Sequence, residues 1–153
     1  MISILSLLRR KIALAGLVLV LASAAARADQ YEQFGDLQVH YNVFNSTSIS
    51  PEMSRSYGLD RGEDIAYVNI AGRRLQPDGT TTPVTLGLEG EVRNLLEQIR
   101  PLEFLLVEEP GAVYYILTTR FSDRETLRFD LVVTDPDTGR RHPMRFQKEL
   151  WQQ

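Results

Sequence analysis

The sequence predicts an all-β domain, an immunoglobulin-like antiparallel β-sandwich of about seven strands with one or two short helices. Three observations carry this expectation. Apolar and polar residues alternate at period two through most of residues 29–153, Gly, Pro and Asp clusters separate the alternating runs, and no long segment repeats at helical spacing. A small open barrel is the alternative closure of the same strands.

Residues 1–28 form the three-part pattern of a cleavable secretory signal peptide: the basic group Arg9, Arg10 and Lys11, the apolar run from Ile12 to Ala22, and small residues ending in Ala26-Arg27-Ala28. Cleavage is expected after Ala28. The apolar run is shorter than the roughly 20 residues that span a bilayer, so an uncleaved anchor is the weaker reading. The neighbours of Arg9-Arg10 do not supply a twin-arginine context. Without cysteine the chain has neither a lipid-attachment residue nor a disulfide framework. The expected mature protein is therefore exported to the periplasm, with no stable membrane insertion after cleavage.

The remaining 29–153 is the length of a single domain able to bury a core without covalent staples. The leader holds four of the 17 basic residues and none of the 20 acidic ones, so 13 basic residues face 20 acidic ones after cleavage and the net charge falls from -3 to -7. Phosphate backbones and anionic headgroups repel such a chain, which argues against nucleic acid as a partner.

Each element follows from local pattern. Leu37, Val39, Tyr41 and Val43 share one strand face. Ser50 is placed to cap a short helix with Pro51 in its first turn, Tyr57 near its end and Gly58 beyond it. Ile65 to Ile70 is apolar on both faces, as is Ala112 to Thr118, and both predict strands covered on two sides. Strands are also expected over Pro83 to Val92 and Leu102 to Glu108. A second short helix is expected from Val92 to Arg100, stopped by Pro101. Leu127, Phe129, Leu131 and Val133 alternate with Arg128 and Asp130 in the cleanest strand of the chain, and Met144 and Phe146 begin another core face. Glu108-Glu109-Pro110-Gly111 and Asp135-Pro136-Asp137-Thr138-Gly139 predict hairpin turns.

Candidate sites are few. The densest polar segment holds Asn42, Asn45, Ser46 and Thr47, residue types that either close side-chain-bonded turns or form a recognition loop; these four are the candidate binding residues, with local turn closure the favoured role. Asn45-Ser46-Thr47 also matches the glycosylation acceptor pattern, which means little if the host is a bacterium. His40, Asp36 and Ser46 supply the residue types of a hydrolase triad, but the nucleophile-elbow pattern is absent and His40 shares the polar strand face with Asp36 and Gln38. His142, before Pro143, has the placing of an edge residue.

Two histidines without cysteine are too few for zinc, and Asp130, Asp135 and Asp137 lack the spacing of a calcium loop, so neither metal nor cofactor is expected. Glu108 and Glu109 point to opposite faces of a strand and cannot act as a carboxylate pair; Tyr114 and Tyr115 divide in the same way.

Phe34-Gly35-Asp36, the run Val39-His40-Tyr41-Asn42-Val43-Phe44-Asn45-Ser46-Thr47, then Arg93-Asn94-Leu95-Leu96 and Ala112-Val113-Tyr114-Tyr115 together resemble a family of short exported proteobacterial proteins, the domain of unknown function 4426. The resemblance covers nearly all of the expected mature chain. It implies an envelope β-sandwich and transfers no catalytic residue. The leading functional expectation is a non-enzymatic binding or envelope-assembly module whose partner is another envelope protein. A small periplasmic hydrolase with an unrecognised site is the alternative, and a structural or stress-protective envelope factor is the third.

Overall fold

The computed structural model describes residues 30–153, and the expected signal peptide lies outside them. Ten strands follow in order: β1 (Tyr31–Phe34), β2 (Leu37–Asn45), β3 (Ile65–Leu75), β4 (Thr81–Val84), β5 (Gly87–Asn94), β6 (Ile99–Pro101), β7 (Phe104–Glu109), β8 (Ala112–Arg120), β9 (Glu125–Thr134) and β10 (Arg141–Leu150). A 3-10 turn at Ser46–Ser48 and one α-helix, α1 (Pro51–Tyr57), lie between β2 and β3. All pairings are antiparallel. The first sheet runs β1-β2-β3-β8-β7, with β4 beside the far half of β3, and the second runs β10-β9-β5-β6.

The fold class is the expected sandwich, with ten strands in place of about seven. The surplus comes from short pieces. Expected strand 83–92 is two strands, β4 in one sheet and β5 in the other, and the chain changes sheet across Thr85 and Leu86. The β1–β2 hairpin and the three-residue β6 add the rest.

Alternation decides what is buried between the sheets. Leu127, Phe129, Leu131 and Val133 of β9 are all buried, as are Leu37, Val39 and Val43 of β2 and Met144 of β10. Tyr41 stacks on Phe146 at 4.4 Å, and Phe146 on Phe129 at 4.9 Å, carrying the core from one sheet to the other. Tyr115 points inward and donates its hydroxyl to the Leu86 carbonyl at 2.7 Å, so the one polar atom it buries there is satisfied.

The helix expected over Val92 to Arg100 does not form. Val92, Leu95, Leu96 and Ile99 have helical spacing, but Val92 is buried opposite Phe129 in β5 while the other three face solvent at 58, 79 and 53% exposure. Buried Asn94 decides the matter. Its Oδ1 accepts from the amides of Leu96 and Gln98, both at 3.0 Å, closing a turn that holds Glu97 at φ 59°. Pro101 then sits in the edge strand β6, where its missing N–H is tolerated.

Helix α1 follows the expected signals. Ser50 Oγ accepts from the Met53 amide at 3.2 Å, and Gly58 at φ 63° ends the helix, with the Leu59 amide returning to the Ser54 carbonyl at 2.8 Å. At the opposite end of the sandwich, Arg74 of β3 bonds Asp36 in the β1–β2 turn at 2.8 Å and Asp135 and Asp137 in the β9–β10 turn at 2.7 and 2.8 Å. The carboxylates weighed as calcium donors are thus gathered on a guanidinium, while Asp130 pairs with Arg93 and Arg145.

Candidate functional site

The two-sided apolar patterns of β3 and β8 mark a second, smaller packing layer on the outside of the first sheet. Inner-facing Ala66, Val68 and Ile70 belong to the main core, while Ile65 and Tyr67 pack outward with Ile49, Phe44, Leu59 and Ile116. The period-two rule places these outward residues in rows across the sheet. Phe44 pairs with Tyr67; Asn42 pairs with Asn69, Asn69 with Ile116, and Ile116 with Leu105.

Helix α1 stands over these rows and walls a groove of about 260 Å³, floored by Tyr67, Asn69, Tyr114 and Ile116 and bounded by Met53 and Tyr57 of the helix and Val107 and Glu109 of β7. Met53 and Tyr57 are one helical turn apart and so share a face. The Tyr57 hydroxyl donates to the Glu109 carboxylate, joining the helix to the edge strand. That bond, followed by the negative charge of Glu109, raises the Tyr57 pKa above its ordinary value. The Tyr67 hydroxyl donates to the Asp60 carbonyl at 2.7 Å, and its pKa is raised chiefly by burial and further by Asp60. Asn69 Oδ1 is buried beneath the groove without a hydrogen-bond partner.

The groove floor continues to an open edge. Among the described residues no strand pairs with the outer side of β7, whose Leu105 and Leu106 are 47 and 43% exposed. Strand β7 contains no Pro or Lys, residues that commonly blunt an edge. Only two residues separate it from β6, the edge of the second sheet, so the exposed Leu95, Leu96 and Ile99 lie on the same flank.

The four residues singled out by polar density do not act together. Asn42 is exposed on the outer face, in register with Asn69, and flanks the groove. Asn45 instead donates from Nδ2 to the Trp151 carbonyl at 2.6 Å, tying β2 to the chain end. Ser46 is fully buried; its hydroxyl donates to the Gly62 carbonyl at 2.8 Å and accepts from the Gly62 amide at 2.9 Å. The Thr47 carbonyl accepts from Arg61 at 3.1 Å. These contacts also separate the three residue types of a triad: Ser46 is engaged with Gly62, Asp36 with Arg74, and His40 lies 5.1 Å from the Tyr31 ring. His142 is on edge strand β10 as expected, with its ring stacked 4.5 Å from Phe34.

The groove and β7 edge were not legible as a site in the sequence, because their residues come from five separated elements. The one available signal was the two-sided apolarity of 65–70 and 112–118, which required a cover on each face.

Fold and site together define an antiparallel two-sheet sandwich with a helix-walled groove on one outer face. The chain belongs to the DUF4426 family, a domain of unknown function whose profile matches residues 31–153. A DUF4426 family protein from Pseudomonas aeruginosa PAO1 is similar at 33% identity and a TM-score of 0.69, over 84% of this chain and 98% of that one. A copper-bound single-residue variant of FetP from uropathogenic Escherichia coli strain F11 shares the fold at 8% identity, with a TM-score of 0.58 over 82% of this chain and 97% of its own. As-isolated FetP from the same strain matches at 9% identity and a TM-score of 0.55, over 82 and 95% of the two chains. No curated protein matches the chain.

Proposed function

We propose that this protein is a non-enzymatic binding module of the bacterial envelope, exported by cleavage after Ala28, which takes up an extended segment of another envelope protein as an added strand beside β7. The observation that carries the proposal is the unpaired β7 edge, with Leu105 and Leu106 half-exposed on it. Such an edge supplies a row of backbone donors and acceptors, and alternate side chains of the incoming strand reach the two faces. Glu103, Glu108 and Glu109 give the edge a negative charge with no basic residue between Pro101 and Ala112, so it complements a segment bearing Lys or Arg. A second copy is a poorer occupant: antiparallel self-pairing brings Glu108 and Glu109 of one copy toward Glu103 of the other.

Copper, the metal of the FetP variant, does not match the donors here. Among the described residues no three His, Cys, Asp or Glu side chains gather as a metal site, and His40 and His142 lie against different aromatic rings. Hydrolysis finds little support in the engaged hydroxyl of Ser46.

The test uses hydrogen exchange with a seven-residue peptide alternating Val and Lys, and a Val and Glu counterpart as control. Protection of β7 amides by the basic peptide alone, lost in Leu106→Lys without loss of stability, is the expected result. Protection elsewhere, equal protection by both peptides, or a β7-paired homodimer in sedimentation would overturn the proposal. Export is tested separately by the intact mass of periplasmic protein, which should begin at Asp29; a mass retaining residues 1–28 would refute it.

A further inference from the structure

We propose that the groove under α1 is a binding site for a small organic cation, an ammonium group carrying apolar substituents. This goes beyond capture of a strand at β7 and does not depend on it. The rings of Phe44, Tyr57, Tyr67 and Tyr114 line the groove, and no basic side chain does. Aromatic faces are negative, and several of them around one space attract a cation more strongly than a neutral group of the same shape.

The polar atoms point to the same chemistry. The Tyr57 and Tyr67 hydroxyls are already engaged as hydrogen-bond donors, to the Glu109 carboxylate and to the Asp60 carbonyl. The Glu109 carboxylate keeps further lone pairs beyond the one Tyr57 uses. The groove therefore offers a carboxylate and its negative charge beside aromatic rings. An anionic ligand would meet Glu109 with no basic side chain in the lining to offset the repulsion, and a neutral apolar one would cover the carboxylate with no counter-charge beyond the Tyr57 hydrogen bond. A volume of about 260 Å³ takes a compact headgroup with a short apolar arm, and the chain's excess of 20 acidic over 17 basic residues favours the approach of a cation.

The probes are choline and its uncharged carbon isostere 3,3-dimethylbutan-1-ol, titrated into the protein and followed by amide NMR shifts. Choline should shift Tyr57, Asn69 and Tyr114 and bind about tenfold more tightly than the isostere, the scale of a partly desolvated cation on aromatic rings. In Glu109→Gln, which keeps an oxygen for Tyr57 and should melt as wild type does, the preference for choline should fall to about threefold or less. Leu106→Lys, which blocks the β7 edge, should leave the ratio intact, so failure of strand capture and failure of this site read differently. Equal affinity for the two probes, tighter binding of decanoate than of choline, or choline shifts confined to residues outside the groove would overturn the proposal.

Discussion

Replacing Arg74 by Met removes the cation that joins the β1–β2 and β9–β10 turns to the end of β3. Arg74 and Asp135 have side chains only 13 and 6% exposed and meet at 2.7 Å, so the change leaves a buried carboxylate without its counter-charge. Loss of one partner from a buried pair costs about 3–5 kcal/mol, near a third of a small domain's stability. The pH dependence provides a second reading. Hydrogen bonding from Arg74, opposed in part by burial, holds the Asp135 carboxyl down to about 2 against an ordinary 3.8. A depressed acid contributes stability that is fully present above the unfolded value and is lost as pH falls toward 2; here that contribution is on the order of 2 kcal/mol. Urea titrations at pH 7 and pH 3 should therefore show wild type losing stability on acidification, and Arg74→Met losing distinctly less because its Asp135 is no longer depressed. Adding Asp135→Asn to Arg74→Met should recover part of the loss, since the asparagine oxygen still accepts from the Asp137 amide, a bond of 3.0 Å in the wild type. A deficit under about 1 kcal/mol at pH 7, or parallel acid limbs for wild type and Arg74→Met, would refute the reasoning.

Phe129→Ala removes a fully buried ring stacked on Phe146 and should cost about 3–5 kcal/mol, whereas Arg128→Ala on the exposed face should cost under about 0.5 kcal/mol; equal shifts in denaturant midpoint would contradict the register of β9. Ser46→Ala strands both the carbonyl and the amide of Gly62 and should lower unfolding free energy by about 1–3 kcal/mol. Asn45→Ala loses a single exposed bond to Trp151 and should cost about 1 kcal/mol or less, so calorimetry ranking Asn45 above Ser46 would show that this segment is held differently.

Local rules in the sequence were sufficient for much of the molecule. Period-two alternation identified the inward faces of β2, β9 and β10, because a strand with one wet face must write that face into its residues. The α1 cap, its proline and its glycine were legible because capping is a bond between near neighbours. Where several partners compete for a residue, sequence spacing failed: Val92, Leu95, Leu96 and Ile99 carry a helical period, yet Asn94 bonds two amides of its own turn and Val92 finds Phe129 across the sheet. Asn42, Asn45, Ser46 and Thr47 were visible as a dense polar run, but their division into one groove-side residue and three tied to Trp151, Gly62 and Arg61 depends on chain brought from 14 to 106 residues away. The groove and the open β7 edge belong wholly to the tertiary structure. Their aromatic, acceptor and carboxylate groups come from strands whose order in the sheet is not their order in the chain, and side chains that sequence separates become a site only when cross-strand register sets them side by side.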